Sequence, residues 1–250
     1  MDRALTWYLR LPYPGKVAAA TVRGARLRSW RYGQGSEALV QAALGRDHWP
    51  EERWRPWQQE RLTTMLRHAA GTVAPYRAWF AEHPDHDPAV LASWPVLSKS
   101  AVRADPRAFV ADDAPRWRFV DQTSGTTGTP LRVHSSRGSL RLWFALLEAR
   151  NRRWHGVSRH DRWAILGGQM IARPRRTRPP YWVWNPALGQ LYLSSHNLSP
   201  STAADYAAVL RRYAPTHVVV YASAAAHLAK VGLDAGERAH GPRVVLVNAE

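Results

Sequence analysis

The sequence predicts an α/β protein with a mainly parallel sheet covered by helices. Continuous apolar runs, as at 218–221 and 244–247, are typical of strands that are buried on both faces. Between such runs, apolar residues recur every three or four positions, which indicates amphipathic helices. Since the two patterns alternate through the second half of the chain, they predict strand–helix–strand units and therefore a parallel sheet.

The N-terminal segment, residues 1–53, is basic and aromatic. Prolines and glycines within residues 1–35 predict that no long helix forms there; they are Pro12, Pro14, Gly33 and Gly35. Apolar and basic side chains alternate near its start: Trp7, Tyr8, Leu9 and Leu11 beside Arg3 and Arg10. Two interpretations remain open, namely peripheral association with an anionic membrane surface and packing over the body of the domain.

The first helix with a clear apolar face is predicted over 54–70. Its apolar residues at helical spacing are Leu62, Met65, Leu66 and Ala69. Gly71 predicts its end. A short helix is expected from Ser98. The histidine- and aspartate-containing stretch 83–88 is expected to be a solvated loop rather than a metal site, because it is a polar connection that contains Pro84 and Pro88.

The second half of the chain supplies the strands of the predicted sheet and the helices between them. Strands are predicted at 118–122, 131–134, 163–166, 191–193, 218–221 and 244–247. Helices are predicted at 139–150, 201–213 and 224–231.

The composition is strongly basic. The 250 residues contain 35 Lys and Arg against 19 Asp and Glu, a net charge of +16, and the only lysines are Lys16, Lys99 and Lys230. An anionic partner such as nucleic acid would explain this charge. Because the arginines are scattered, a codon bias towards arginine is the preferred interpretation, and a cleft for polyphosphate would gain from the same field.

The absence of cysteine excludes disulfides, thiolate zinc sites and a cysteine nucleophile. It fits a reducing cytoplasm, so we expect a cytoplasmic protein, with the inner face of the membrane as the alternative location. The first thirty residues lack the apolar run of a signal peptide, and no stretch has the roughly 20 apolar residues that span a bilayer.

A loop rich in glycine and hydroxyl side chains carries the clearest chemical signal. It consists of Thr123, Ser124, Gly125, Thr126, Thr127, Gly128, Thr129 and Pro130, between two predicted strands. Its glycines let the backbone bend and approach a ligand closely, and successive N–H groups in such a turn can bind an anion. The hydroxyls add further hydrogen-bond donors. The loop therefore predicts a site for phosphate groups.

Other phosphate-binding patterns are excluded. No Gly-Lys-Ser/Thr sequence follows, so the loop is not a Walker A loop. Its two glycines are three residues apart, which differs from the dinucleotide-binding G-x-G-x-x-G pattern. The structural alternative is an ordinary glycine-rich hairpin turn. A turn that needs glycine seldom also needs four further hydroxyls, here those of Ser124, Thr126, Thr127 and Thr129, so we favour the functional interpretation.

Residues 122–131 resemble the signature loop of the adenylate-forming superfamily, which includes acyl- and aryl-coenzyme A ligases. Most members have Lys after the proline, whereas this chain has Leu131. In this it is similar to the phenylacetate–coenzyme A ligase branch and its CapK-type relatives of capsular polysaccharide biosynthesis. Shorter matches occur in the same order along the chain, at 68–77, 94–99, 154–162 and 192–199.

The resemblance implies that residues 54–250 are a partial AMP-binding domain with ATP and Mg²⁺ as cofactors. Such enzymes activate a small carboxylate as an acyl-adenylate, which coenzyme A or another acceptor then attacks. Residues Ser124 to Thr129 would hold the β- and γ-phosphates. Asn248, Ala249 and Glu250 match the turn on the adenine and ribose side.

A looser match places Tyr221, Ala222 and Ser223 beside the acyl pocket. Val220 and Ala222 replace the family's Gly and Pro, so a strand end with a helix cap at Ser223 remains the alternative. The family's magnesium-binding Glu, ribose-binding Asp and catalytic Lys match no residue here, so no catalytic residue and no metal ligand is assigned. Three explanations would account for these missing family residues: a truncated chain, a split protein and a degenerate homologue. We expect an inactive N-terminal fragment that ends before the C-terminal lid domain.

Two further function classes remain as alternatives. The first is a non-catalytic nucleotide-binding or scaffold relative. The second is a basic nucleic-acid-binding protein, suggested by the arginines within 173–178. No recognised nucleic-acid motif is present, so no specific nucleic-acid partner is expected. No G-x-S-x-G sequence indicates a serine hydrolase, and the dispersed histidines are expected to be structural or on the surface.

Overall fold

A computed structural model describes residues 3–122, 130–174, 176–234, 236 and 241–248. The chain divides into two compact units. Unit 1 comprises 1–40 and 144–250, and unit 2 comprises 41–143. The predicted division at 53/54 rests on the family resemblance and stays a prediction.

Unit 1 begins with two helices, α1 (Arg3–Arg10) and α2 (Tyr13–Arg31), followed by α3 (Ser36–Arg46), which extends past its boundary. The prediction that residues 1–35 hold no long helix is wrong, because α2 has 19 residues. Pro14 lies in the first turn of α2. A proline there removes no helical hydrogen bond and has a suitable φ angle, so it starts a helix instead of breaking one.

Unit 2 contains α4 (Glu51–Thr72), α5 (Ala74–Glu82), α6 (Lys99–Ala104) and two short strands, β1 (Phe119–Gln122) and β2 (Arg132–Ser135). The predicted helix over 54–70 is confirmed, but Gly71 does not end it, since α4 continues to Thr72. Ser98 caps α6 by accepting a hydrogen bond from the Ala101 N–H. The stretch 83–88 lies outside the helices and strands.

After α7 (Arg137–Leu146) and a π-helical segment, Leu147–Arg152, unit 1 forms a five-stranded sheet. Its strands are β3 (Trp163–Gly167), β4 (Trp182–Asn185), β5 (Gln190–Ser194), β6 (His217–Tyr221) and β7 (Val244–Asn248). The order is β4-β5-β3-β6-β7, parallel except for β4, which pairs antiparallel with β5. The prediction of a mainly parallel sheet is thus confirmed.

Helices flank this sheet. The connections that follow β5 and β6 contain α8 (Ala203–Tyr213) and α9 (Ala222–Asp234), which contact each other. Helix α2 packs against β4. Glycine makes this approach close, because a Cβ atom at Gly24 would lie 2.2 Å from Oδ1 of Asn185.

The core of unit 1 forms where alternate residues of β3, β5 and β6 meet α8. Its buried members are Ala164, Leu166, Tyr181, Leu191, Leu193, Tyr206, Tyr213, Val218 and Val220. Tyr181 and Tyr206 stack with ring centroids 5.6 Å apart, and the Tyr206 hydroxyl donates a 2.6 Å hydrogen bond to the Ser194 carbonyl. These contacts fix α8 against the end of β5.

Candidate functional site

The predicted phosphate loop joins β1 to β2. These strands pair antiparallel from Phe119↔Ser135 to Gln122↔Arg132, which confirms that the loop lies between two strands. They form a two-stranded sheet of their own. Residues Thr123, Ser124, Gly125, Thr126, Thr127, Gly128 and Thr129 lie outside the described residues. The hairpin differs from nucleotide sites in which the phosphate loop leads from a strand into a helix.

Positive charge collects around His134 of this hairpin. The pKa of His134, on β2, is lowered by burial and then by the charges of Arg118, Arg132 and Arg107. These guanidinium groups therefore lie within electrostatic reach of one imidazole. Asp121 on β1 is the acidic residue of the two strands. A field of this sign would attract a polyphosphate.

A second candidate site lies at the carboxyl edge of the five-stranded sheet. Because β3, β5, β6 and β7 are parallel, their carboxyl ends share one edge. Strands β4 and β5, which follow β3 in the chain, lie on one side of β3, whereas β6 and β7 lie on its other side. Such a reversal of strand order commonly forms a ligand crevice in open α/β sheets.

Polar contacts hold the loops at this edge in place. The Ser195 hydroxyl donates to the Gly167 carbonyl at 3.1 Å, and His196 Nε2 donates to the Gly168 carbonyl at 2.7 Å. A Cβ atom at Gly167 would lie 2.3 Å from the Tyr192 hydroxyl, so a larger residue there would require the Tyr192 side chain to shift. Burial raises the pKa of Tyr192, whose hydroxyl accepts a hydrogen bond from the Gln169 N–H.

The structure brings two of the predicted site segments together. Tyr221, predicted beside the acyl pocket, is the register partner of Asn248, predicted on the nucleotide side. Tyr221, Ala222 and Ser223 are exposed. Helix α9 begins at Ala222, so Ser223 lies in its first turn rather than before it. Ala249 and Glu250 lie outside the described residues.

A buried polar network in unit 1 was not predicted from the sequence. The fully buried Glu148 accepts hydrogen bonds from the Arg159 N–H and Arg153 Nε, both at 3.1 Å, and from Arg152 Nη1 at 3.4 Å. Arg152 Nε also donates to Nε2 of the buried His217 at 3.3 Å. Glu148 lies in the helix predicted at 139–150 and Arg152 two residues beyond it, so their spacing of four would have suggested the pair only if the predicted helix had been extended.

The electrostatics of this network keep His217 neutral. Burial lowers its pKa to about 4; Arg152 contributes in the same direction, while Asp161 and Glu148 oppose it. The imidazole stacks on Trp163, with centroids 5.9 Å apart and an interplanar angle of 4°. Since Arg152 donates to Nε2, the proton resides on Nδ1. The network thus has a structural role, as expected for the dispersed histidines.

An open groove of about 1070 Å³ follows α4 and coincides with neither predicted site. Its aromatic residues already have partners. Trp49, Trp54 and Trp57 make edge-to-face contacts, and the Arg53 guanidinium lies 3.8 Å from the centroid of a Trp49 ring. Packing accounts for this cluster, so we assign it no ligand.

The described residues contain no group of three or more His, Cys, Asp or Glu that could hold a metal ion. In the same residues, no helix is long and apolar enough to cross a membrane. No protein-family model matches the sequence, and comparison with curated proteins gives no match.

Proposed function

We propose that this protein binds ATP and activates a small carboxylate as an acyl-adenylate. Within unit 1, the carboxyl edge of the sheet beside Tyr221 would hold the organic part of the substrates. Residues Ser124–Thr129 keep the role that the resemblance implies for them, namely binding of the β- and γ-phosphates. The pairing of Tyr221 with Asn248 carries the proposal. It joins two segments that were assigned separately to the acyl and the nucleotide side of one reaction centre.

The chain's own groups fit the binding part of this function. Hydroxyls and backbone N–H groups suit phosphate oxygens, and Arg107, Arg118 and Arg132 supply positive charge around His134 of the hairpin. Exposed Tyr221 offers an aromatic surface at the sheet edge. Magnesium would reach the site largely through the phosphates, as it commonly does, so no protein ligand is assigned to it.

The protein's contribution to catalysis would be positional and electrostatic. Donors on the loop would hold the triphosphate in one orientation, which lowers the entropic cost of reaching the geometry for in-line attack by the carboxylate. Donors that are already oriented also stabilise charge on the phosphates without reorganisation during the reaction. Coenzyme A is the acceptor that the resemblance suggests.

The first test is ATP binding by the chain and by Thr126→Ala/Thr127→Ala, measured by calorimetry. Loss of two hydroxyl donors to phosphate should weaken binding by about 1–3 kcal/mol. The matched control is Thr63→Ala/Thr64→Ala, two threonines on α4. An equal affinity in both variants would favour the ordinary hairpin turn.

The second test is carboxylate-dependent ATP–pyrophosphate exchange with a panel of aryl and fatty acids, using the whole protein. Exchange with one class of acid would support the proposal and name that class. ATP binding without exchange would favour the non-catalytic nucleotide-binding relative. The absence of both would overturn the proposal.

A further inference from the structure

An open cleft of about 520 Å³ lies between the end of α1 and the segment after β3, both in unit 1. Its described lining combines three arginines with apolar side chains and contains no acidic residue: Leu9, Arg10, Leu11, Arg173, Pro174 and Arg176. This volume is within the range of small-ligand pockets. The cleft is formed by residues other than those of the predicted phosphate loop.

A buried lysine adjoins this cleft. Lys16, at the start of α2, is 4% exposed, and its Nζ donates a 2.8 Å hydrogen bond to the Ile171 carbonyl, two residues before Arg173. The ammonium also lies 5.4 Å from the Tyr8 ring centroid. An ammonium group has three donors, so one hydrogen bond to a carbonyl leaves capacity for a further acceptor.

The positive charges around Lys16 lack acidic partners among the described residues of the cleft. Burial, followed by the charges of Arg176 and Arg173, lowers the pKa of Lys16. In the part of the chain that the structure describes, the Arg176 side chain donates to two carbonyls, those of Arg178 and Pro179, at 2.6 and 3.2 Å. Like charges that are held together cost free energy unless a counter-ion joins them. A bound anion would remove that cost.

We infer that this cleft binds the phosphate group of a phosphate ester. Guanidinium groups match phosphate oxygens in geometry, and a dianion compensates more of the local charge than a carboxylate would. Leu9, Leu11 and Pro174 provide an apolar wall for the organic part of the ester. The ester is either a soluble metabolite or a lipid headgroup. Trp7 on α1 is exposed and could contact a lipid surface, so both sources are included in the test.

The test uses a chain that carries Thr126→Ala/Thr127→Ala, so that the predicted loop contributes little to phosphate binding. Its affinity is measured for inorganic pyrophosphate and for phosphatidylcholine vesicles with and without phosphatidic acid. Binding to pyrophosphate but not to vesicles supports a soluble phosphate compound as the ligand, and binding only to vesicles with phosphatidic acid supports a lipid headgroup. Binding in neither arm overturns the inference.

Specificity for the cleft is tested by adding Arg10→Gln and Arg173→Gln. Both residues are exposed, and loss of their charged donors should weaken binding roughly tenfold to a hundredfold. Arg26→Gln with Arg212→Gln is the matched control, because it removes the same charge at exposed positions of the same unit. Equal weakening by both pairs would indicate the general field of the protein and overturn the inference.

Binding beside Lys16 can be measured directly by NMR, because the chain has only three lysines. In a chain labelled with ¹³C at lysine Cε, Lys16, Lys99 and Lys230 give three signals. The Lys16 signal should shift on addition of pyrophosphate, while the other two stay in place and report that the fold is intact. Equal shifts of all three signals, or a shift without Lys16, would contradict binding beside Lys16.

Discussion

At the scale of single residues, His217 shows how strongly an environment can change a side chain that looks ordinary in the sequence. It begins β6 and is fully buried between Trp163 and Arg152. Its Nδ1 has no hydrogen-bond partner among the described residues. Protonation would therefore place a second positive charge beside a buried guanidinium, which explains the lowered pKa.

The free energy of unfolding should decrease as the pH falls from 6.5 to about 4, the range set by His217. The pKa of His217 is 6.5 in the unfolded chain and about 4 in the folded one, so the unfolded chain takes up the proton first. The contribution of neutral His217 is complete above pH 6.5 and is lost towards pH 4, by about 3 kcal/mol in total. Urea unfolding at several pH values measures this loss.

The variant His217→Gln isolates the effect. It should be less stable at neutral pH but should lose less stability on acidification than the parent chain, because Gln does not titrate. His160→Gln, at an exposed histidine of the same unit, is the control and should keep the parent's acid dependence. Parallel pH curves for the parent and His217→Gln would refute this explanation.

Residue-scale features were predictable where the local sequence determines them. Ser98 as the cap of α6 follows from serine chemistry at a helix start. The buried state of Glu148 was not predictable, because its carboxylate accepts from the Arg159 N–H and because its partner Arg152 also contacts His217, which is far away in sequence. Tyr221 and Asn248 could be proposed singly, but their pairing requires the strand register.

At the scale of elements, the end of α8 contains a local strain that the sequence did not indicate. Ala214 follows the helix with φ +48°, in the left-handed region, and its N–H donates to the Leu210 carbonyl. Glycine is the preferred residue at such a helix end, because its backbone adopts this conformation without steric cost. Alanine adopts it against its preference.

Ala214→Gly should therefore stabilise the protein by roughly 0.5–1 kcal/mol, opposite in sign to most replacements of alanine by glycine. Ala208→Gly is the control on the same helix, at an exposed interior position, and should destabilise by about 1 kcal/mol. Thermal and urea unfolding of both variants give the two signs. Destabilisation by both would show that relief of strain at Ala214 is too small to offset the flexibility that glycine adds.

Helices and strands were predictable where the hydrophobic periodicity is strong. The prediction was wrong where one residue type has opposite effects at different positions of an element. Proline in the first turn of α2 has the opposite effect to proline inside a helix, and the sequence alone did not tell them apart. Strand β4 was missed because its run of four residues follows a basic, proline-rich stretch and is too short for a clear period. Its antiparallel place next to β5 depends on pairing that no local pattern encodes.

At the scale of the whole molecule, the net charge of +16 is the feature that most directly suggests binding to nucleic acid. Charge of this size predicts some binding to any duplex DNA at low salt, whatever the function. Such binding releases counter-ions from the DNA, so its affinity falls steeply with salt; six to ten phosphate contacts lose about 10³–10⁵ in affinity between 50 and 200 mM. Salt dependence therefore separates a general field from a built site.

We expect duplex DNA binding to disappear by about 200 mM salt, while ATP binding persists with a smaller loss. Hydrogen bonds from loop hydroxyls and backbone N–H groups act at short range and are screened much less than long-range attraction between charges. Parallel titrations of DNA and of ATP against salt measure the two slopes, with Thr126→Ala/Thr127→Ala lowering only the ATP affinity. If DNA binding exceeds ATP binding at the higher salt concentration, nucleic-acid binding becomes the preferred function. The loop would then be an ordinary turn, and the arginines would form the functional surface.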